Sequence, residues 1–382
     1  MATAVARLIV LIVVLWTGAS VGAAEDDQTR FGRGVEAARA GDHQAALAAW
    51  QPLAEQGHAR AQYNLGVMHH DGLGVAQGWA KAVAWFRRAA NQGHDKAQFN
   101  LGIAYERGEG VLQDHAEAAV WYRKASEQGH VDAQFNLALA YEDGRGVARD
   151  YGEAARWYRE AASRGDAGAR FNLGYLYLEG RGVGQNNGVA ANLFRQAAES
   201  GHALAQLDLG RMLRDGRGVG RDPASGVKWL RRAAEQGVAE ASYSLGLAYL
   251  DGVGVGANVT TAALWFREAA MKGHPVAQNN LGGMYERGEG VRRDLAEAIA
   301  WYCRAARQIH STAFTNLGFI LGHGRGVERN YLRAYLWFSL AAAKGSDLAR
   351  KNRDVAAKLL SKKELAEAQR LVRAWTPGSA CP

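Results

Sequence analysis

An asparagine returns every 36 residues along most of this chain, and its side-chain carboxamide can donate and accept hydrogen bonds. The series consists of Asn64, Asn100, Asn136, Asn172, Asn280 and Asn316, with Asp208 and Ser244 at the two remaining places. A row of carboxamides on one face could bind both the N–H and the C=O groups of an extended peptide. In the alternative interpretation, each asparagine bonds to the neighbouring copy of the repeat and holds the copies together. The residues alone favour neither interpretation.

The place three residues after each asparagine varies from copy to copy. It holds Val67, Ile103, Leu139, Tyr175, Arg211, Leu247, Gly283 and Phe319. Within one chain, places that keep their residue build the frame, and places that vary can select a partner. We therefore predict an apolar and aromatic groove around Phe171 and Tyr175, with Arg211 beside it. The residues predicted to bind a partner are Asn100, Asn136, Asn172, Phe171, Tyr175, Arg211 and Asn280.

Histidine also recurs, one residue after the glycine, or its equivalent, that ends a helix. The series is His58, His94, His130, His202, His274 and His310. The structural explanation, which we favour, is that cations are stabilised near the C-termini of helices. The functional alternative is a row that responds to pH or binds metal, because imidazole titrates near neutral pH. His69 and His70 are adjacent, so they do not form a metal-binding pair on one helix face.

The other repeated motifs have structural explanations. G-x-G segments such as Gly108 to Gly110 resemble phosphate loops, but a dinucleotide fingerprint follows a strand, and here each segment follows a helical pattern. Tryptophans such as Trp121 share a helix face with pairs of alanines, which favours core packing over stacking on a ligand. No nucleophile with a base, carboxylate pair or metal cluster stands out. We predict no enzyme activity, no cofactor and no metal.

The elements that position these residues are two helices in each 36-residue unit. In the first helix, Ala97, Leu101 and Gly102 mark one buried face, and the glycine lets a neighbouring helix approach closely. A G-x-G-V turn ends this helix. The second helix begins at an Asp or Asn N-cap such as Asp114, and Glu117 three residues later predicts a capping box. Asp150 and Asp294 are followed by glutamate in the same way.

Each unit is a helical hairpin whose core is too small to fold alone, so stacked copies must bury one another's apolar faces. The prediction is an all-α fold, a right-handed α-solenoid of stacked hairpins. Eight copies occupy residues 59–345. A capping hairpin over 24–58 precedes them, charged capping helices over 346–375 follow, and 376–382 form a disordered tail.

The repeated unit closely resembles the Sel-one-like repeat, a family of tetratricopeptide-related helical hairpins. One copy carries the match at Ala97, Leu101, Gly102, Tyr105, Gly108, Gly110, Val111, Asp114, Ala118, Trp121, Ala125 and Gly129. The resemblance implies a superhelical scaffold for protein–protein contacts, of a kind common in bacterial signalling and envelope proteins. Some secreted members carry a disulfide in each repeat and have been linked to β-lactam binding. This chain lacks those cysteine pairs.

The first residues form a pattern of their own. Arg7 is followed by the apolar run Leu8 to Trp16 and by small residues near Ala23. This order is typical of a secretory signal peptide, so we predict a signal over 1–23 and a periplasmic or secreted protein. A retained membrane anchor is the less favoured alternative. The two cysteines, Cys303 and Cys381, could pair with each other, pair between chains or stay free.

The net charge of +8 comes from basic and acidic residues that are interspersed along the chain. No basic block stands out, so nucleic acid is not a predicted partner. The predicted function is an exported scaffold that binds a protein or peptide through its concave face, with a role in envelope signalling or assembly. The alternative is a secreted enzyme acting on the cell wall, a β-lactam-binding protein or a carbohydrate-binding module. No contact with the membrane is predicted after signal cleavage, and the oligomeric state is left open.

Overall fold

The computed structural model describes residues 26–379 and residue 381. The predicted signal peptide lies outside the described residues. The described part of the chain contains twenty α-helices and no strand, which confirms the all-α prediction. It divides into two compact units at His130, and each unit is described by itself. Among the described helices, none combines the length and the apolar composition needed to cross a membrane.

Unit 1 ends at His130 and contains the first six helices. They are α1 (Asp27–Arg39), α2 (His43–Glu55), α3 (Ala59–Asp71), α4 (Trp79–Asn91), α5 (Asp95–Arg107) and α6 (His115–Glu127). Unit 2 begins at Val131. Its helices are α7 (Val131–Asp143), α8 (Tyr151–Ser163), α9 (Ala167–Glu179), α10 (Asn187–Glu199), α11 (Ala203–Asp215), α12 (Pro223–Glu235), α13 (Ala239–Asp251), α14 (Val259–Met271), α15 (Pro275–Arg287), α16 (Leu295–Arg307), α17 (Ser311–His323), α18 (Tyr331–Ala343), α19 (Asp347–Lys358) and α20 (Lys362–Ala374). Up to α18, each odd-numbered helix packs on the next even-numbered helix as a hairpin.

The turn inside each hairpin is fixed by a glycine and an N-cap. In unit 1, α5 ends at Gly108, whose φ of 74° lies in the left-handed region that glycine tolerates. The carboxylate of Asp114 then accepts from the backbone N–H groups of Ala116 and Glu117 at 2.9 and 3.0 Å. The backbone N–H of Asp114 donates to the carbonyl of Tyr105 at 2.9 Å. This bond ties the start of the second helix to the last turn of the first.

The same bond corrects the prediction of capping boxes at Asp114, Asp150 and Asp294. In a capping box, the glutamate side chain bonds back to the N–H of the N-cap residue. At all three places that N–H already donates to a tyrosine carbonyl of the preceding helix. The aspartate half of each box is present, whereas Ser361 and Glu364 at the start of α20 form both halves.

A glycine in the first helix makes room for an aromatic ring from the second helix of the same hairpin. A Cβ atom at Gly102 would lie 2.6 Å from the ring of Tyr122 in unit 1. The corresponding distance between Gly282 and Tyr302 in unit 2 would be 2.8 Å. Both distances are too short for real atoms, so a larger residue would force the helices apart. The predicted close approach of a neighbouring helix is therefore present.

A glutamine in the first helix joins consecutive hairpins within a unit. The side chain of Gln98 donates to the carbonyl of Ala90, in the preceding hairpin, at 3.2 Å. It also accepts from Gln128, at the end of its own hairpin, at 2.7 Å. Gln278 and Gln308 repeat the second bond in unit 2 at 2.9 Å. These bonds satisfy buried polar groups at the junctions, where unpaired groups would be costly.

The C-terminal end of unit 2 is closed covalently. Helices α19 and α20 both pack on α18, and the ring of Trp375 lies edge-on to Phe314 with centroids 5.3 Å apart. The sequence predicts a disordered tail over 376–382. In the structure Cys381 is joined to Cys303 of α16 by a disulfide, so the tail is held against the helices.

Candidate binding face

The side chains predicted to bind a partner lie on the first helices of the hairpins. In unit 2 we call this surface the first-helix face. It consists of Asn172, Tyr175, Asp208, Arg211, Leu247, Asn280, Gly283 and Asn316 with their immediate neighbours on α9, α11, α13, α15 and α17. Asn136 occupies the same place on α7, and Asn100 occupies it on α5 of unit 1. The asparagines of this row are half-buried.

Several asparagines of this row bond to neighbouring helices. Asn172 donates to the hydroxyl of Tyr158 on α8 at 3.0 Å. Asn316 donates to the side-chain oxygen of Asn279 on α15 at 3.0 Å. The side chain of Asn280 interacts with the hydroxyl of Tyr243 on α13. The structural interpretation of the row therefore holds for these residues. Because a carboxamide offers two donors and two acceptor positions, capacity for a ligand remains.

Two residues of the predicted groove, Phe171 and Tyr175, form an aromatic cluster on α9. The rings of Phe171 and Tyr175 meet edge-on with centroids 5.0 Å apart, and both are half-buried. Phe171 also lies against the ring of His202 at 4.5 Å. The hydroxyl of Tyr175 donates to the carboxylate of Asp208 on α11 at 2.6 Å. Burial raises the pKa of Asp208, and burial together with this acceptor raises the pKa of Tyr175.

Arg211 lies on the same face, and its charge is matched by an acidic residue of the next hairpin. Its guanidinium forms an ion pair with Glu240 on α13. The other carboxylate oxygen of Glu240 lies 2.7 Å from Nε2 of His274 on α15. The sequence places Arg211 beside the groove, and the structure adds Glu240 and His274 as its partners. A ligand at this place would therefore contact Arg211 as part of a row of paired polar groups, together with Glu240 and His274.

The structure overturns the favoured explanation of the histidine row. His58, His94, His202 and His274 begin helices, where cations are unfavourable, instead of following helices that stabilise them. In each of these residues Nδ1 accepts from a backbone N–H three residues later, at 3.1 to 3.3 Å. The ring must therefore be unprotonated at Nδ1. Burial lowers the pKa of His94 and of His202, which favours this neutral form.

The metal alternative for the histidine row gains no candidate from the structure. Within residues 26–379 and 381, no group of three or more His, Cys, Asp and Glu side chains is placed to hold a metal ion. In the fourth copy, Asp166 takes the place of the histidine and caps α9 by accepting from Ala169 at 2.5 Å. The shared role of His and Asp at this place is helix capping.

Two recesses open along the first helices, one in each unit. The recess in unit 1 has a volume of about 340 Å³ and is lined by Asn100, Val67, Ile103 and the buried Phe86. The recess in unit 2 has a volume of about 280 Å³ and includes Asn279, Asn280, Gly283 and Asn316. Of these four residues only Asn280 belongs to the predicted site. Asn316 and Gly283 were named as members of the asparagine series and the varying series, and Asn279 belongs to neither series. Asn279 replaces the aromatic residue found at that place in five copies, which is the signal that could have found it.

A chain of helical hairpins that repeats one frame and varies its side chains on one face is a helical-repeat scaffold. Eight consecutive segments match the Sel1 repeat. They are residues 59–94, 95–130, 131–166, 167–202, 203–238, 239–274, 275–310 and 315–346. These segments make up most of the chain, so it belongs to the Sel1 repeat family. The members of this family are typically scaffolds without enzyme activity and generally bind proteins.

Solved structures of two bacterial relatives resemble the chain. A protective antigen of uropathogenic Escherichia coli strains, which displays an SLR fold, is 32% identical with a TM-score of 0.53, and 91% of each chain is covered. A Sel1 repeat protein from Oxalobacter formigenes is 35% identical with a TM-score of 0.63, over 77% of this chain and 87% of its own. A search of curated proteins found no match.

Proposed function

We propose that the protein is exported and binds an extended segment of a protein partner through the first-helix face of unit 2. The observation that carries this proposal is the cluster of Phe171, Tyr175 and Arg211. Phe171 and Tyr175 are in ring contact on α9, and Arg211 lies on α11, three residues after the Asp208 to which Tyr175 donates. Aromatic residues and arginine are the residues that most often carry binding energy in protein interfaces.

The contacts around this cluster suit an extended chain. Phe171 and Tyr175 supply apolar surface, and the Tyr175–Asp208 and Arg211–Glu240 pairs supply polar groups beside it. Asn136, Asn172 and Asn280 add carboxamides at a constant interval along the same series of helices. A carboxamide matches the alternating donors and acceptors of a peptide main chain. In unit 1, Asn100 would play the same part in its own recess.

Two observations support export to the periplasm or the cell exterior. The N-terminal pattern of Arg7, an apolar run and small residues near Ala23 is that of a signal peptide. The disulfide between Cys303 and Cys381 is a bond that persists in oxidising compartments and is rare in the cytosol. A role in envelope signalling or assembly follows from this location and belongs to the same proposal.

A photo-crosslinking residue at position 247 tests the binding face. In intact cells it should capture a protein partner, because Leu247 is half-buried and lies on the same face of α13 as Glu240, two turns further along the helix. Arg211→Glu should lower the yield at least about tenfold by opposing Glu240. The matched control is Arg195→Glu, an exposed arginine on the second helix α10, which should leave the yield unchanged. Equal yields from the two charge reversals would refute this face as the binding site.

Fractionation tests export separately. The mature protein should appear in the periplasm or the medium with a mass that lacks about the first 23 residues. Its two thiols should resist alkylation until a reductant is added. A full-length protein in the cytosol with two reactive thiols would contradict the export proposal.

A further inference from the structure

The seventh copy of the repeat departs from the other copies at two places that face the same recess. Asn279 stands where Tyr63, Phe99, Phe135, Phe171 and Tyr243 stand in five other copies. Gly283 stands at the varying place, and every other copy carries a side chain there. Both residues line the Gly283 recess, which is the space of about 280 Å³ lined by Asn279, Asn280, Gly283, Asn316, Arg287 and Tyr302.

Gly283 has no packing requirement that explains it. At its neighbour Gly282 the packing is tight, because a Cβ atom there would lie 2.8 Å from the ring of Tyr302 and the ring would have to shift. A Cβ atom at Gly283 would meet only the mobile end of Arg287, at 3.0 Å, and the hydroxyl of Tyr302, at 3.5 Å. Glycine inside a helix is destabilising relative to alanine, and Gly283 lies in the middle of α15. Glycine at this place destabilises the helix, so we explain its presence by the space that it leaves in the recess.

Carboxamides supply most of the uncharged polar groups of the Gly283 recess. Asn316 on α17 donates to Asn279 on α15, and Asn280 interacts with Tyr243 on α13. These bonds fix the orientation of the three side chains and use only part of their hydrogen-bonding capacity. Below them, the floor is formed by the buried side chains of Phe266 and Met284.

The charged groups around the Gly283 recess are paired with one another. Arg287 holds both carboxylate oxygens of Glu289, at 2.7 and 2.9 Å. The carboxylate of Glu286 accepts from Tyr302 at 2.8 Å and from Arg325 at 3.1 Å. An anionic or cationic ligand would have to break one of these pairs, so the recess suits an uncharged ligand that offers donors and acceptors together.

We propose that the Gly283 recess binds the main chain of an uncharged stretch of extended peptide. A peptide bond offers one N–H and one C=O, which the paired carboxamides can satisfy together. The absence of a side chain at Gly283 leaves space for the peptide beside α15. This proposal rests on the proposed function and specifies, within the first-helix face, where the peptide is held and what charge it carries.

A peptide library on phage tests this proposal. Short random peptides are selected on the full chain, and the affinity of a selected peptide is then measured by isothermal titration calorimetry. Gly283→Leu should weaken binding about tenfold or more, because the side chain fills the recess and displaces one or two hydrogen bonds. The matched control is Val189→Leu, at an exposed valine on the second helix α10 that lines neither recess, and it should change the affinity less than about twofold.

Two further measurements keep the result decisive. Asn279→Phe introduces the aromatic residue that five of the other copies carry, and it should abolish binding while the far-UV circular dichroism spectrum of the helices is unchanged. Raising the salt from about 0.1 M to about 1 M should change the affinity less than about threefold, because no ion pair forms with the peptide. A steep salt dependence would overturn the claim of an uncharged ligand.

The outcomes separate this proposal from the proposed function. Peptides that bind the wild type and lose affinity in Gly283→Leu support both. Peptides that tolerate Gly283→Leu and Asn279→Phe but lose affinity in Arg211→Glu leave the first-helix face as the binding site and overturn the recess. A library that yields no binder of the wild type overturns both.

Discussion

The recess of unit 1 and the Gly283 recess of unit 2 occupy similar places in the repeat and differ in chemistry. Val67 and Ile103 give the first a more apolar lining, whereas Asn279 and Gly283 give the second a more polar one, and both recesses contain charged residues. The frame around them is the same, down to a glycine in the first helix packed against an aromatic ring of the second. The comparison teaches that the repeated hairpin determines where a recess can form. The residues that differ between copies determine the chemistry of its lining.

The arginines at the two recesses show the difference most directly. Arg107 in unit 1 and Arg287 in unit 2 are the last residues of corresponding first helices, and each is followed two residues later by a glutamate. Arg287 holds its glutamate through two hydrogen bonds, whereas the closest approach of Arg107 to Glu109 is 3.8 Å. The Arg107 side chain is 65% exposed. Arg287 is nearly as exposed, at 57%, so the two arginines differ in how closely they are paired and not in how easily a ligand can reach them.

The largest effect should come from the frame and should be similar in the two units. Leu101→Ala and Leu281→Ala each remove a fully buried side chain beneath a recess, so each should destabilise its unit by about 2 to 5 kcal/mol. Hydrogen exchange of the helices around each site, read by mass spectrometry, gives the local loss. A loss under about 1 kcal/mol in either unit would show that the two frames are not equivalent.

The next effect concerns the histidine caps, which occur in both units. At low pH the neutral form of His94 or His202 is lost first in the unfolded chain, because burial lowers the pKa in the folded state. The stability that these caps contribute is therefore complete above the ordinary pKa of about 6.5 and falls as the pH is lowered through it. A helix cap of this kind is worth about 1 kcal/mol.

Asp166 provides the matched variant for this test. His94→Asp in unit 1 and His202→Asp in unit 2 should keep the cap, because carboxylate remains ionised and accepting at pH 5. Chemical denaturation at pH 7 and pH 5 should show a smaller loss of stability for the variants than for the wild type. An identical loss in the variants would mean that other groups cause the pH dependence.

The smallest effect should separate the two arginines. Arg287→Gln removes a pair held by two hydrogen bonds and should cost up to about 1 kcal/mol, whereas Arg107→Gln should have no measurable effect on stability. Thermal denaturation measures both. An equal cost for the two variants would show that the pairing of Arg287 gives unit 2 no stability that unit 1 lacks.

Much of the helical frame can be predicted from the sequence because the same motif occurs in eight copies. Local rules are enough to place the N-cap at Asp114 and the glycine at the end of α5. It is harder to predict which of two adjacent apolar residues in a helix is the more deeply buried. Both can lie at the edge of the same apolar stripe. The sequence marks the tryptophan series as the buried one. In the first copy, however, Trp85 is half-buried and the next residue, Phe86, packs against Gly66.

The candidate site was only partly predictable, for a different physical reason. Asn280 and Tyr175 stand out because they belong to series, but Glu240 belongs to none, and its pairing with Arg211 depends on how α11 and α13 are aligned. The favoured prediction for the histidines is wrong because it places them at the C-terminus of a helix, whereas four of them are N-cap residues. A histidine after a glycine can either follow one helix or begin the next, and the sequence does not distinguish these when the linker is so short.

The bond between Cys303 and Cys381 changes how mechanical load passes through unit 2. Because it closes a ring of chain across a sequence separation of 78 residues, a pull on the C-terminus is delivered to α16 and not to α20. The helices α17, α18, α19 and α20 lie inside the closed ring and carry little of that force. A partner or a cell surface tethered at this terminus could strain the connection to the seventh hairpin without peeling the last helices away.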